Sequence, residues 1–265
     1  MSNHSKRLTY AIVNLVACAA MIFMNYLAVA LPLNGKDTGE LSDQYPNLFV
    51  PTGATFAIWG IIFTLALIFV IYSLVYVLRN PSTTNSTFLD KIGYWFAISC
   101  LANSSWIFAW HYEIVWLSVL IMLLLLCSLI AIYQRLSIGI SSASNTEKYV
   151  VHLPFSVYLG WISVAMIANV TALLVDMEMG GLGLGEPLWA TLLILVAIAL
   201  GLTMIFRRND IFYALVIAWA LWGIYAKRSN APEVIQMIVI TTMVGMSLIL
   251  IASLVQIFRR RIYAN

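Results

Sequence analysis

Asn103, Trp106 and Trp110 stand at i, i+3 and i+7 within one apolar run, so on a helix they share a face. Trp161 and Asn169 repeat the pairing at i and i+8, and Phe56, Trp59 and Phe63 form an aromatic stripe on a third run. An indole offers a flat apolar face for stacking, and an amide both donates and accepts, so such a set can orient a neutral or hydrophobic ligand. The plainer alternative is that the amides bridge helices, as Asn does in membrane bundles. Among the nine tryptophans, Trp116, Trp189 and Trp222 fall near expected span ends, where an aromatic belt is sufficient explanation.

Other chemistries find little footing. Every Asp, Glu, Lys and Arg can be placed in a loop or near a helix end, which argues against a buried proton relay or a retinal Schiff base. No nucleophile, base and orienting acid stand at a recognisable spacing, so no catalytic residue is named. His111 and Glu113 read as polar residues of a tight turn. Cys18, Cys100 and Cys127 lie in apolar runs and read as buried small hydrophobes, with no Cys/His spacing that suggests a metal site. The stretch Gly180–Gly185 follows no strand and lacks a phosphate-binding Lys, so it reads as a connector. A net charge of only +3 argues against a nucleic-acid partner.

The elements that position these residues are membrane spans. The chain is 62% hydrophobic and 9% charged, with a mean hydropathy of +0.93; a soluble domain carries about a quarter charged residues. Apolar runs fall at about 9–31, 54–78, 91–110, 114–134, 151–175, 187–206, 211–226 and 233–258, each near the roughly 20 residues that cross a bilayer. Lipid leaves no backbone group unpaired, so the runs are helical. The expected fold class is an all-α polytopic transmembrane bundle of about eight spans. The first run also has features of a signal peptide, Lys6 and Arg7 before an apolar stretch ending Ala28-Val29-Ala30, but its length favours a retained span.

Placing the N-terminus inside puts 11 of the 14 basic residues in cytoplasmic segments, with Lys36, Lys227 and Arg228 outside. Both termini are then cytoplasmic, and the plasma membrane is the expected location. Loop 32–53, with Asp37, Glu40 and Asp43, lies outside, as does 176–186. The sequon Asn85-Ser86-Thr87 falls inside and is expected to carry no glycan. In this scheme Trp59, Asn103, Trp106 and Asn169 all lie in the outer half of the bilayer, beneath loop 32–53.

Three motifs carry a family resemblance. Pro51 to Phe63, with Phe56, Trp59 and the following Gly60-Ile61-Ile62-Phe63, resembles the start of the second helix of the TspO/MBR family of tryptophan-rich sensory and translocator proteins. Asn103-Ser104-Ser105-Trp106 is similar to that family's third-helix Asn-x-x-Trp, and Pro154-Phe155 with Trp161 and Asn169 is similar to its fifth-helix pattern. The motifs occur in the family's order over about residues 9–175. Departures include Trp110-His111 in place of an aromatic pair, and a first loop whose aromatics are Tyr45 and Phe49 rather than tryptophans.

The resemblance implies a five-helix unit over residues 1–175, with three additional helices over 176–265. It also implies a receptor or carrier for a hydrophobic ligand, a porphyrin or haem, a sterol or a lipid, contacted by Phe56, Trp59, Phe63, Asn103, Trp106, Trp110, Trp161 and Asn169. Membrane lipid is the other expected partner, and a homodimer is left open. A secondary transporter of a small molecule is the first alternative; it would use broken helices, and Pro154 stands inside an apolar run. A tetrapyrrole-degrading enzyme ranks last, because nothing titratable sits among these residues.

Overall fold

The computed structural model describes residues 2–31, 33–36, 38–82 and 87–263, with side chains through Arg259. Asp37 of the acidic loop, and Asn85 and Ser86 of the sequon, lie outside the described residues. Eight long helices follow in order: α1 (Asn3–Ala30), α2 (Ile58–Arg79), α3 (Trp95–His111), α4 (Val115–Leu136), α5 (Leu153–Asp176), α6 (Glu186–Arg208), α7 (Ile211–Ser229) and α8 (Gln236–Tyr263). No strand occurs among the described residues. Seven of the eight are long and apolar enough to cross a membrane. The other, α3, has 17 residues, at the short end of the spanning range. The chain is an all-α, multi-span membrane bundle.

Two compact units form, one of Met1–Thr38 with Trp59–Leu159 and one of Gly39–Ile58 with Gly160–Asn265. The first is organised around α3, which packs against both α1 and α4. On α1 the buried residues Arg7, Ala11, Asn14, Cys18 and Met21 recur at three- to four-residue spacing, with Ala28 two turns further on, while Val16, Phe23, Tyr26 and Val29 are exposed. Apolar side chains on an exposed helix face are what lipid solvates. A short helix, Phe88–Ile92, opens with a capping box made by Thr87 and Asp90. Asp90 also binds Arg7 at 2.9 Å. Gly93, at φ 54°, then turns the chain into α3.

Asn14 holds that turn from the neighbouring helix. Its Nδ2 donates to Gly93 O at 3.1 Å, and its Oδ1 accepts from Ala97 N at 3.0 Å. Ala97 is in the first turn of α3, where backbone N–H groups have no partner within the helix. Deeper in the unit, Phe69 of α2 meets Phe96 and Phe155 edge-on, with centroids 5.2 and 5.0 Å apart.

Pro154 lies in the first turn of α5, inside a helical segment that runs continuously over Asn145–Asp176. A π-helical turn, Lys148–His152, precedes it, and Leu153 N donates to Lys148 O. Proline in a regular helix loses one hydrogen bond and clashes with a carbonyl four residues back, and a widened turn relieves both faults. The helix passes through unbroken. Cys127 is exposed, not buried as expected; it shares the open face of α4 with Leu120, Leu123 and Leu124, where a thiol serves as a small hydrophobe toward lipid.

In the second unit α6, α7 and α8 pack on one another. Small residues allow close approach: a Cβ on Gly160 would lie 3.0 Å from Tyr213 O, and one on Gly201 2.9 Å from Ile249 Cδ1. Without a hydrophobic drive between helices in lipid, such packing is a principal source of association. The stretch Gly180–Gly183 forms a single 3-10 turn with left-handed residues, and Asn209 at φ 52° joins α6 to the Asp210 cap of α7.

Candidate functional site

The residues singled out by spacing fall in both units. In the first, Asn103 is fully buried on α3 and its Oδ1 accepts from Asn25 Nδ2 of α1 at 2.7 Å. Asn25 Nδ2 also donates to Met21 O at 2.9 Å, one turn back, which fixes the amide's orientation. Tyr158 of α5 interacts with the Asn103 side chain and donates from its hydroxyl to Met21 Sδ at 3.8 Å. The result is a polar cluster of three side chains drawn from α1, α3 and α5.

Aromatic rings flank it. Trp59 stacks on Phe63, with centroids 5.4 Å apart, and presents an edge-on contact to Tyr158 at 6.0 Å. Trp59 is half-buried, so part of its surface stays accessible. Trp106 and Trp110, one turn apart on α3, stack at 5.6 Å and are buried. Trp110 Nε1 donates to Thr38 O at 3.3 Å, tying the segment after α1 to the end of α3. The expected tight turn follows: Glu113 takes φ 58° and its carboxylate pairs with Lys36 at 3.0 Å. His111 is buried, with Nδ1 2.8 Å from Ile107 O.

In the second unit, Phe56 and Trp161 meet edge-on at 5.7 Å, and Asn169 is buried on α5. Phe56 sits on a 3-10 turn, Gly53–Ala57, that is fastened to α7. Thr52 N donates to Gly223 O at 3.2 Å, and Trp219 Nε1 donates to Thr55 O at 2.9 Å. A cavity of about 270 Å³ in the same unit is bordered by Asp43, Asn47, Glu186, Lys227 and Arg228.

The family model for TSPO-like proteins matches residues 11–255. The chain belongs to the TSPO-like family. No curated protein and no solved structure matches it. The match runs from α1 into α8, so it takes in the last three helices, which have no counterpart in the five-helix pattern of the resemblance.

For this TSPO-like chain, spacing along single helices identified Asn103 and the α3 tryptophans as one buried face. It missed Asn25 and Tyr158. A signal for Asn25 is present in retrospect: Asn14, Cys18, Met21 and Asn25 step along one side of α1 at four-, three- and four-residue intervals. Tyr158 carried no such signal, since one tyrosine in an apolar run is unremarkable until its partner is known.

Proposed function

We propose that the protein is a membrane receptor or carrier for a hydrophobic ligand, a porphyrin or haem, a sterol or a lipid. The observation that carries the reading is the Asn25–Asn103–Tyr158 cluster, a small set of oriented polar groups among aromatic and aliphatic side chains. Sites for hydrophobic small molecules have this character, a mostly apolar lining with a few placed polar groups. Trp59, Phe63, Trp106 and Trp110 of the first unit are ligand contacts in this reading, and Phe56, Trp161 and Asn169 of the second are a separate set of candidate contacts. The indole faces stack and the amides orient.

Porphyrin titration followed by tryptophan quenching, with purified protein in nanodiscs, tests it. An aromatic platform contributes about 1–3 kcal/mol by analogy with base stacking. Trp59→Leu and Trp161→Leu should each therefore weaken binding about 5- to 150-fold. A parent protein that binds no porphyrin removes the tetrapyrrole arm. Unchanged affinity in both variants removes these tryptophans from the site.

The proposal includes a plasma-membrane location with both termini in the cytoplasm, supported by the distribution of Lys and Arg. In a background lacking Cys18, Cys100 and Cys127, Ser142→Cys should resist a membrane-impermeant thiol reagent in intact cells, while Gln44→Cys, at an exposed position of the 32–53 loop, should react. Rapid outside labelling at position 142 would reverse the scheme.

A further inference from the structure

Arg228, in the last turn of α7, is half-buried and already holds a loop. Its Nε donates to Leu48 O at 3.2 Å, and its Nη2 donates to Asn47 O at 2.7 Å and Val50 O at 3.5 Å. A guanidinium has five N–H groups, so these contacts leave Nη1 with both of its donors. They also leave the charge, because carbonyls are neutral. Among the described residues no carboxylate forms an ion pair with Arg228, although Asp43 and Glu186 both act on its charge through space; Asp43 pairs with Lys227 instead. Glu186, the first residue of α6, borders the same 270 Å³ cavity and has no ion-pair partner among the described residues either. A narrow recess of about 20 Å³, lined by Asn47, Leu48 and Glu186, also includes Trp189. The Trp189 indole N–H is buried without an acceptor among the described residues.

One cavity therefore presents a cation and an anion that do not neutralise each other by contact. A simple anion entering it would be attracted by Arg228 and repelled by Glu186, and a simple cation the reverse. A group carrying both signs satisfies both walls. The volume is just below the usual range for small-molecule pockets and equals the liquid volume of about nine waters, which suits a head group rather than a whole lipid. We propose that this cavity binds a zwitterion of the phosphoethanolamine type, its oxyanion on Arg228 and its ammonium on Glu186. The group is either a lipid head or a free solute. The assignment does not depend on the hydrophobic-ligand reading above, since its ligand is polar and its residues are different.

The test is calorimetric titration of the full chain in maltoside detergent with two phosphoethanolamine probes, soluble glycerophosphoethanolamine and dihexanoyl-phosphatidylethanolamine. Each is compared with its phosphoglycerol counterpart, which lacks the ammonium. Saturable binding is expected, about tenfold tighter for the phosphoethanolamine probe, as for a charge-assisted hydrogen bond. Glu186→Gln should abolish that preference, and Arg228→Gln should weaken both head groups about tenfold or more. Glu186 is exposed and makes no ion pair among the described residues, so its arm decides the question even where Arg228→Gln does not yield folded protein. Binding of the short-chain lipid alone assigns the site to a lipid head; equal binding of the soluble probe assigns it to a free solute. Absence of saturable binding by either probe overturns the proposal. So does a phosphoglycerol probe that binds equally well, or a preference that survives Glu186→Gln.

Discussion

Replacing Asn14 with leucine should destabilise the protein by about 2–6 kcal/mol, since two buried backbone groups, each worth about 1–3 kcal/mol when stranded, lose their partner together. Gly93 O and Ala97 N both depend on this one side chain. Gly93 sits at a positive φ that few other residues adopt, and Ala97 N belongs to the helix start, so neither can move to a new partner without undoing the turn into α3. Water is the usual rescue for a stranded N–H, and Asn14 is fully buried. Asn14→Ala removes the same two partners without adding apolar volume, so it should be destabilised in the same direction as the leucine variant. Denaturant or thermal unfolding in detergent measures both, and amide exchange at Ala97 localises the effect. A leucine variant within about 0.5 kcal/mol of the parent, the range of an ordinary surface substitution, would show that the bridge contributes nothing.

Gly223→Val should cost about 2–4 kcal/mol, combining overpacking with loss of the Thr52–Gly223 hydrogen bond. A Cβ at this position would run into Thr55 Oγ1 and lie 2.9 Å from Pro51 Cβ. Neither is the far end of a flexible side chain, so the whole 51–57 segment must lift from α7. That movement would also break the Trp219–Thr55 contact and displace Phe56 from Trp161. The local consequence is measurable apart from stability. In a background without native cysteines, Thr52→Cys should react faster with a thiol reagent when Gly223→Val is present, and Gly223→Ala should give a smaller change in the same direction. An unchanged labelling rate in the valine variant would mean that the turn does not rest on Gly223.

These two sites mark where local reading ended. Gly223 lies in Leu221-Trp222-Gly223-Ile224, which echoes Ile58-Trp59-Gly60-Ile61, yet a Cβ on Gly60 would meet open space whereas one on Gly223 would not. The same Trp-Gly-Ile triplet thus has opposite tolerance at its glycine, decided by what packs against it. Asn14 was one polar residue in a long apolar run, and its partners lie 79 and 83 residues away. Arg228 read as a loop cation on the outside, whereas its guanidinium fastens a loop 178 to 181 residues earlier in the chain.

The sequence by itself determined the solvent, the helical spans, the family resemblance and the shared face of Asn103, Trp106 and Trp110. Each of these follows from run length or three- to four-residue spacing, which are local properties. Tertiary structure decided which amide meets Asn103, that the 39–58 segment belongs with α6, α7 and α8, and that Cys127 is exposed. The reason is the solvent. In water, burial separates apolar from polar faces and periodicity reveals the core, but in lipid both the packed and the exposed faces are apolar. Side-chain shape and a few long-range hydrogen bonds then choose the partners, and neither leaves a periodic trace in the chain.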